Sequence, residues 1–302
     1  MEWATVKPAA FDYAAPTSLA EALTLLGDPD RDATVLAGGQ SLLPMLNMRL
    51  ARPELVVDIG RIPNLAGIEE REGALVFGAM TTKAAVESSA LVLRQQPLLH
   101  AATKLVGHPQ IRSRGTVGGS MAQADPAAEY PAVAVATGGW MRAVGADGER
   151  TIPAADFFVT CLTTGLAPGE LLVEVGIPAL SAGTGWSFTE LSRRHGDFAM
   201  AGVAVTVRLD RAGCFEESRI VVFGVGDIPT RMSAAEELLR GERPEPSLYR
   251  RAADAVRDAF DAPMSDIHAS AEYRLHLAGV LAERGIADAV ARAHPGEEGP
   301  NR

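Results

Sequence analysis

Two glycine pairs constrain this chain more than any other feature. The first lies in Ala37-Gly38-Gly39-Gln40-Ser41, at the end of an apolar run. The second lies in Thr116-Val117-Gly118-Gly119-Ser120, followed by Ala124-Asp125-Pro126-Ala127-Ala128-Glu129. Both are flanked by small hydroxyl or amide side chains. Glycine lets the backbone take φ > 0 and lets a ligand approach without meeting a Cβ. Successive N–H groups in such a turn can converge into an anion-binding nest. Two nests facing each other would clamp both phosphates of one dinucleotide and would need no Rossmann helix. Neither a Walker A sequence nor Gly-x-Gly-x-x-Gly is present, so a nucleotide site has to be of another type. Gly138-Gly139 lacks the hydroxyl flanks and reads as an ordinary turn.

The elements around these pairs alternate. Ser18 and Glu21 form a capping box that opens a helix to Leu26, and Gly27 stops it. Strands are expected at Thr34–Leu36, Leu55–Ile59 and Ala74–Gly78. Helices are expected over Thr81–Gln96, with Pro97 as the break, and over Leu98–Val106. After the second glycine pair come a small-residue helix over Pro126–Ala136 and a strand over Leu171–Ile177 closed by Pro178. A glycine hinge at Gly183–Gly185 then separates a different pattern. Strands near Trp186–Leu191, Ala199–Asp210 and Ser218–Gly226 precede helices near Arg231–Arg240, Leu248–Phe260 and Ser265–Arg284. Strands first and helices after mark an α+β domain. The expected division is 1–178 (lobes about 1–58 and 59–178), 179–288, and a loose tail over 289–302.

Charge and cysteines narrow the function. The 302 residues are 47% hydrophobic, enough for a real core, and carry a net charge of −10. An acidic chain repels nucleic-acid phosphate. No apolar run is long enough for a membrane span, and the N-terminus lacks a secretory layout, so a cytoplasmic location is expected. Cys161 and Cys214 are the only cysteines and form no Cys-x-x-Cys pair, which argues against an iron–sulfur cluster or zinc ribbon held by this chain. Ser192-Arg193-Arg194-His195-Gly196-Asp197 reads as a solvated turn with Arg–Asp pairing. His108 reads as a cap or interface residue. Arg112 and Arg114 suit either a pyrophosphate or salt bridges to a partner. His268 and His276 are eight residues apart, too far to share a metal directly. No catalytic constellation and no metal site assembles from the sequence.

The two glycine motifs, the second running through Glu129, resemble those of one family. It is the FAD-binding medium subunit of molybdenum hydroxylases: carbon monoxide dehydrogenase medium chains, N-heterocycle hydroxylases, and the flavin domain of xanthine dehydrogenase. Arg193-Arg194-His195-Gly196-Asp197-Phe198-Ala199 resembles a third family signature. The resemblance implies a two-lobed FAD-binding domain of the vanillyl-alcohol-oxidase type, followed by a small C-terminal domain with an antiparallel sheet and helices. It implies FAD contacts from Ala37, Gly38, Gly39, Gln40, Ser41, Thr116, Val117, Gly118, Gly119, Ser120, Glu129, Leu172 and Thr189, with Phe188 near the flavin ring. Gln40, Ser120 and Glu129 depart from the commoner His, Asn and Asp, and each keeps hydrogen-bonding ability.

The resemblance further implies a small subunit with two 2Fe–2S clusters and a large molybdenum–pterin subunit, assembled as a dimer of heterotrimers. This chain would take electrons from the clusters and pass them to an external acceptor, while substrate is hydroxylated on the molybdenum subunit. An N-heterocycle substrate is favoured over carbon monoxide. The alternatives are a carbon monoxide dehydrogenase medium chain, a free-standing FAD oxidase, which would need a catalytic or covalently attached side chain near the glycine pairs, and a non-enzymatic assembly protein.

Overall fold

A computed structural model describes residues 7–293. The first lobe contains β1 (Asp12–Ala14), α1 (Leu19–Leu26), β2 (Ala33–Leu36), α2 (Leu42–Asn47) and β3 (Leu55–Asp58). Its sheet is parallel in the order β1-β3-β2. The Ser18 hydroxyl accepts from the Glu21 N–H at 3.2 Å, and the Glu21 carboxylate accepts from the Thr17 N–H at 3.1 Å. The capping chemistry read from sequence therefore closes at Thr17 instead of Ser18.

The second lobe begins with β4 (Ile68–Arg71) and β5 (Ala74–Gly78). Six helices follow: α3 (Lys83–Ser88), α4 (Ala90–Gln95), α5 (Pro97–Leu105), α6 (Pro109–Arg112), α7 (Val117–Gln123) and α8 (Glu129–Thr137). The lobe ends with β6 (Trp140–Gly145), β7 (Gly148–Pro153), α9 (Ala154–Phe157), β8 (Phe158–Thr160), β9 (Thr163–Thr164) and β10 (Leu171–Pro178). Its main sheet is antiparallel, in the order β4-β5-β10-β6-β7. The single helix expected over Thr81–Gln96 is two helices. Ser89 takes an extended conformation (φ −79°, ψ 114°), and its hydroxyl caps α4 by accepting from Val92. Pro97 begins α5 as its first residue, where the missing N–H costs nothing.

β10 ties the two lobes together. Leu171 and Val173 pack with Leu55, Val57 and Ile59 of the first lobe. Leu172, Val175 and Ile177 pack into the larger core with Leu75, Phe77 and Tyr130. Strict alternation would put Leu172 on the face opposite Val175. A bulge between Leu172 and Glu174 in the β6 pairing resets the parity.

The remaining elements are β11 (Gly185–Ser192), β12 (Ala199–Leu209), β13 (Phe215–Phe223), β14 (Thr230–Arg231), α10 (Ser233–Leu239), α11 (Pro246–Arg257) and α12 (Ala271–Arg292). The strands form an antiparallel sheet in chain order. β12 is apolar and buried along nearly its whole length because α12 covers one face and α8 the other. Phe188, Ala204, Val221 and Phe223 accordingly join the core of the second lobe, while Val203, Val205 and Val222 face α11 and α12.

Two expectations for this half change. Gly185 is part of a strand, not a hinge: a Cβ there would lie 1.9 Å from the Ala289 carbonyl oxygen of α12. α12 starts at Ala271, so His268 precedes it. It runs to Arg292, into the segment expected as a tail, and 294–302 lie outside the described residues. Among the described residues no helix is long and apolar enough to cross a membrane.

Candidate functional site

A cleft of about 570 Å³ opens where the two lobes meet, and a loop of the C-terminal domain borders it. The first glycine motif forms one wall. β2 ends at Leu36, Gly39 turns the chain at φ +72°, and Ser41 stands at the N-cap position just before α2. Among the described residues, no protein acceptor meets the N–H groups of Gly39, Gln40 or Ser41. All three residues line the cleft, so their free donors are available to an anion there.

The second motif is built differently. The expectation of a turn is wrong: Gly118 and Gly119 lie in the first turn of α7, and neither has positive φ. Thr116 caps the helix, its hydroxyl accepting from the Gly119 N–H at 3.0 Å. The segment before it is pinned to residues 79–83. Val117 N–H donates to Thr81, Gly118 N–H to Ala79, and Lys83 N–H to Gly115, each at 2.9 Å. Ser120 N–H donates to Thr116 at 3.2 Å. The N–H groups of Val117, Gly118, Gly119 and Ser120 are thus satisfied within the protein. Its glycines serve close packing, since a Cβ on Gly118 would sit 2.5 Å from Ala79 Cβ. Gly38 belongs to the same joint: a Cβ there would lie 2.2 Å from the Arg114 carbonyl oxygen. The two motifs therefore form one free cradle and one rigid seam.

Of the thirteen site residues read from sequence, the cleft gathers Ala37, Gly38, Gly39, Gln40, Ser41, Thr116, Gly118, Gly119, Ser120, Glu129 and Leu172. Val117 does not line it; its side chain is buried in the core of the second lobe. Thr189 does not line it either, and lies on β11 toward α12, with Oγ1 4.0 Å from a Cβ built on Gly285. Phe188 is stacked on Phe223 at 5.4 Å inside the core instead of facing the cleft.

Arg112 is 7% exposed. It is held by the Glu87 carboxylate at 2.7 and 3.1 Å and by the carbonyls of Val106 and Gly107. That settles its role as structural, and Arg114 is exposed outside the cleft lining. The His108 ring packs against Gly196 and lies 6.2 Å from the His195 ring, joining the second lobe to the 192–198 loop. That loop forms a turn in which Asp197 N–H donates to Arg194 at 3.1 Å. It brings Gly196, Asp197 and Phe198 to the cleft mouth. Among the described residues, no group of three or more His, Cys, Asp or Glu is placed to hold a metal ion.

Beside Glu129, charges that sequence reading did not assign, Lys83, Asp125 and Glu170, line the cleft. Lys83 and Glu129 are 8% and 9% exposed. They attract one another, yet no ion pair forms between them within 4.0 Å among the described residues. Burial pulls the Lys83 ammonium down, partly offset by Glu129. Burial pushes the carboxyls of Glu129 and Asp125 up. Glu190 on β11 is pushed up to about 8 by burial and then by the nearby Glu129 charge, and its Oε2 is buried without a partner. Glu170, at the other end, is held low first by the bidentate Arg150 at 2.7 Å. One signal for Lys83 was visible: it opens a helix, where the macrodipole favours acidic residues.

A glycine-walled cleft with free backbone donors, set between two lobes and bordered by a further α+β domain, defines a two-domain dinucleotide-binding protein. Residues 9–180 match the model of the FAD binding domain in molybdopterin dehydrogenase, and residues 186–289 the CO dehydrogenase flavoprotein C-terminal domain. The chain is 42% identical over 293 residues to the 6-hydroxypseudooxynicotine dehydrogenase complex subunit alpha of Paenarthrobacter nicotinovorans, covering 97% of this chain and 99% of that one.

Among solved structures it superposes on carbon monoxide dehydrogenase from Hydrogenophaga pseudoflava lacking the Mo-pyranopterin moiety, with a TM-score of 0.92 at 41% identity, covering 95% of this chain and 99% of that one. It also superposes on quinoline 2-oxidoreductase from Pseudomonas putida 86, with a TM-score of 0.89 at 35% identity, covering 94% and 98%. The chain belongs to the family of FAD-binding medium subunits of molybdenum hydroxylases, and is the flavoprotein subunit of such an oxidoreductase.

The residues present fit FAD. The volume lies within the roughly 300–1,000 Å³ of small-molecule sites. The first motif offers unused N–H donors, and Lys83, a buried cation in the wall, has no hydrogen-bonding partner of its own among the described residues.

Proposed function

We propose that this chain is the electron relay of a heterotrimeric molybdenum hydroxylase. The free donors of Gly39, Gln40 and Ser41 carry the reading, because they give the cleft an anion cradle for a dinucleotide. The cleft residues Ala37 to Ser41, with Thr116, Gly118, Gly119, Ser120, Glu129 and Leu172, hold FAD noncovalently. FAD supplies the electron-carrying chemistry, accepting electrons from 2Fe–2S clusters on a small subunit and yielding them to an external acceptor. The chain's own part is to bind, orient and shield. The seam at Ala79–Gly118 fixes one wall, the Gly39 turn aims the donors, and the 192–198 loop borders the mouth.

Substrate is hydroxylated on a large molybdenum subunit, and two trimers pair in the cytoplasm. Gln40, Ser120 and the segment His108–Arg114 favour an N-heterocycle substrate over carbon monoxide. No Cys or His lies in either glycine motif to form a covalent flavin link. Acid precipitation of the flavin-loaded chain is therefore expected to release one FAD per chain into the supernatant. Flavin remaining on the precipitated polypeptide would overturn the noncovalent assignment.

A further inference from the structure

Among the described residues lining the cleft there is one cationic side chain, Lys83, against four carboxylates: Asp125, Glu129, Glu170 and Asp197. Its position is fixed by backbone. Thr82 caps α3 and bridges to Thr116, and the Lys83 N–H donates to Gly115 at 2.9 Å. Its aliphatic stem passes Gly115 beside Gln40: a Cβ on that glycine would lie 3.6 Å from Lys83 Cδ and 3.7 Å from Gln40 Cγ. The ammonium sits 5.0 Å from the centre of the Tyr130 ring. The side chain thus reaches the space between the two glycine motifs.

The surrounding charges do not satisfy it. On α8, Glu129 attracts it without pairing within 4.0 Å, and Asp125 and Glu190 lie near Glu129. On α6, Arg112 is occupied by Glu87 of α3 itself. On α5, His100 meets the Glu87 carbonyl at 3.0 Å and Lys104 is exposed, as is Arg94 on α4. A buried ammonium without an acceptor is costly. The cleft is where an acceptor can enter.

We propose that Lys83 is a cofactor-binding residue, its ammonium donating to an acceptor oxygen of the FAD held in the cleft and supplying that dianionic ligand's one positive side-chain neighbour. This rests on the FAD reading above. It has two consequences of opposite sign. Without FAD, the unpaired charge weakens the fold. With FAD, it strengthens binding. Because Lys83 loses its proton below the usual lysine range, FAD affinity falls as pH rises through that value.

The test is FAD titration of the apo chain, followed by flavin fluorescence from pH 7 to 10, with Lys83→Met beside the wild type. Methionine keeps the length and apolar stem. The variant is expected to bind FAD roughly tenfold to a hundredfold more weakly at pH 7, as for loss of a charged hydrogen bond. It should lose the alkaline fall in affinity, and its apo thermal midpoint should equal or exceed that of the wild type. Affinity within about twofold of wild type, or the same alkaline fall in both proteins, would overturn the role of Lys83. Failure of the wild type to bind FAD at all would instead overturn the FAD reading.

Discussion

Gly118→Val is expected to leave little folded protein. A Cβ at this position lies 2.5 Å from Ala79 Cβ, 2.7 Å from its Cα and 2.8 Å from its carbonyl oxygen. Two of these atoms are backbone, so no rotamer change relieves the clash. The Gly118 N–H holds that same carbonyl at 2.9 Å, and moving α7 away breaks the bond. Overpacking of a fixed joint costs about 3 kcal/mol or more, a large share of a domain's total stability. The check is the denaturant midpoint of the soluble fraction, with Gly119→Ala as comparison. There the added Cβ comes closer than ordinary contact only to the Thr116 hydroxyl, at 2.7 Å, and the loss should be near the ~1 kcal/mol of a helix cap. Equal, small losses in both variants would mean that α7 is not seated against Ala79 as described.

Gly39→Val is expected to do the reverse: the fold persists and FAD is lost. Gly39 sits at φ +72°, a region that a β-branched residue avoids, and the strain is on the order of 1–2 kcal/mol. The atoms a Cβ would meet are side-chain methyls and methines, Leu43 at 3.0–3.1 Å and Leu36 at 3.3 Å, which can shift. The turn relaxes toward negative φ, and the N–H groups of Gly39, Gln40 and Ser41 no longer point together. Flavin content measured beside circular dichroism checks this. The expected result is a native spectrum with flavin near zero. Full flavin occupancy would show that this turn is structural only.

These two glycines show what the sequence can and cannot reveal. Both read alike on paper, as glycine pairs with hydroxyl flanks. One is a positive-φ turn with free donors, and the other is a helix start pressed against a neighbouring strand end. The seam was not legible, because Ala79, which Gly118 meets, lies far from it along the chain. Local chemistry carried the rest. The Ser18 box, the Gly27 stop and the apolar runs of β3, β5, β10 and β12 announced themselves.

β4 was missed because Ile68-Glu69-Glu70-Arg71 is a mostly exposed edge strand with little apolar pattern. The break at Ser89 was missed because its signal was a cap within an otherwise helical run. Glu129 and Leu172, named for FAD contacts by the family resemblance, line the cleft. Val117, Phe188 and Thr189 did not, since the face each side chain takes depends on tertiary packing. For Lys83 the one local signal is a cation at a helix start, which by itself does not tell a cleft lysine from a solvated one.

Electron flow tests the central claim most directly. Stopped-flow absorbance can follow flavin bleaching in the complex purified with its native partners and in the isolated FAD-loaded chain, each mixed with the same substrate of the complex. The account predicts bleaching in the complex and none in the isolated chain. Substrate-driven bleaching of the isolated chain, with no other subunit present, would contradict the relay and establish a free-standing flavin oxidase in its place.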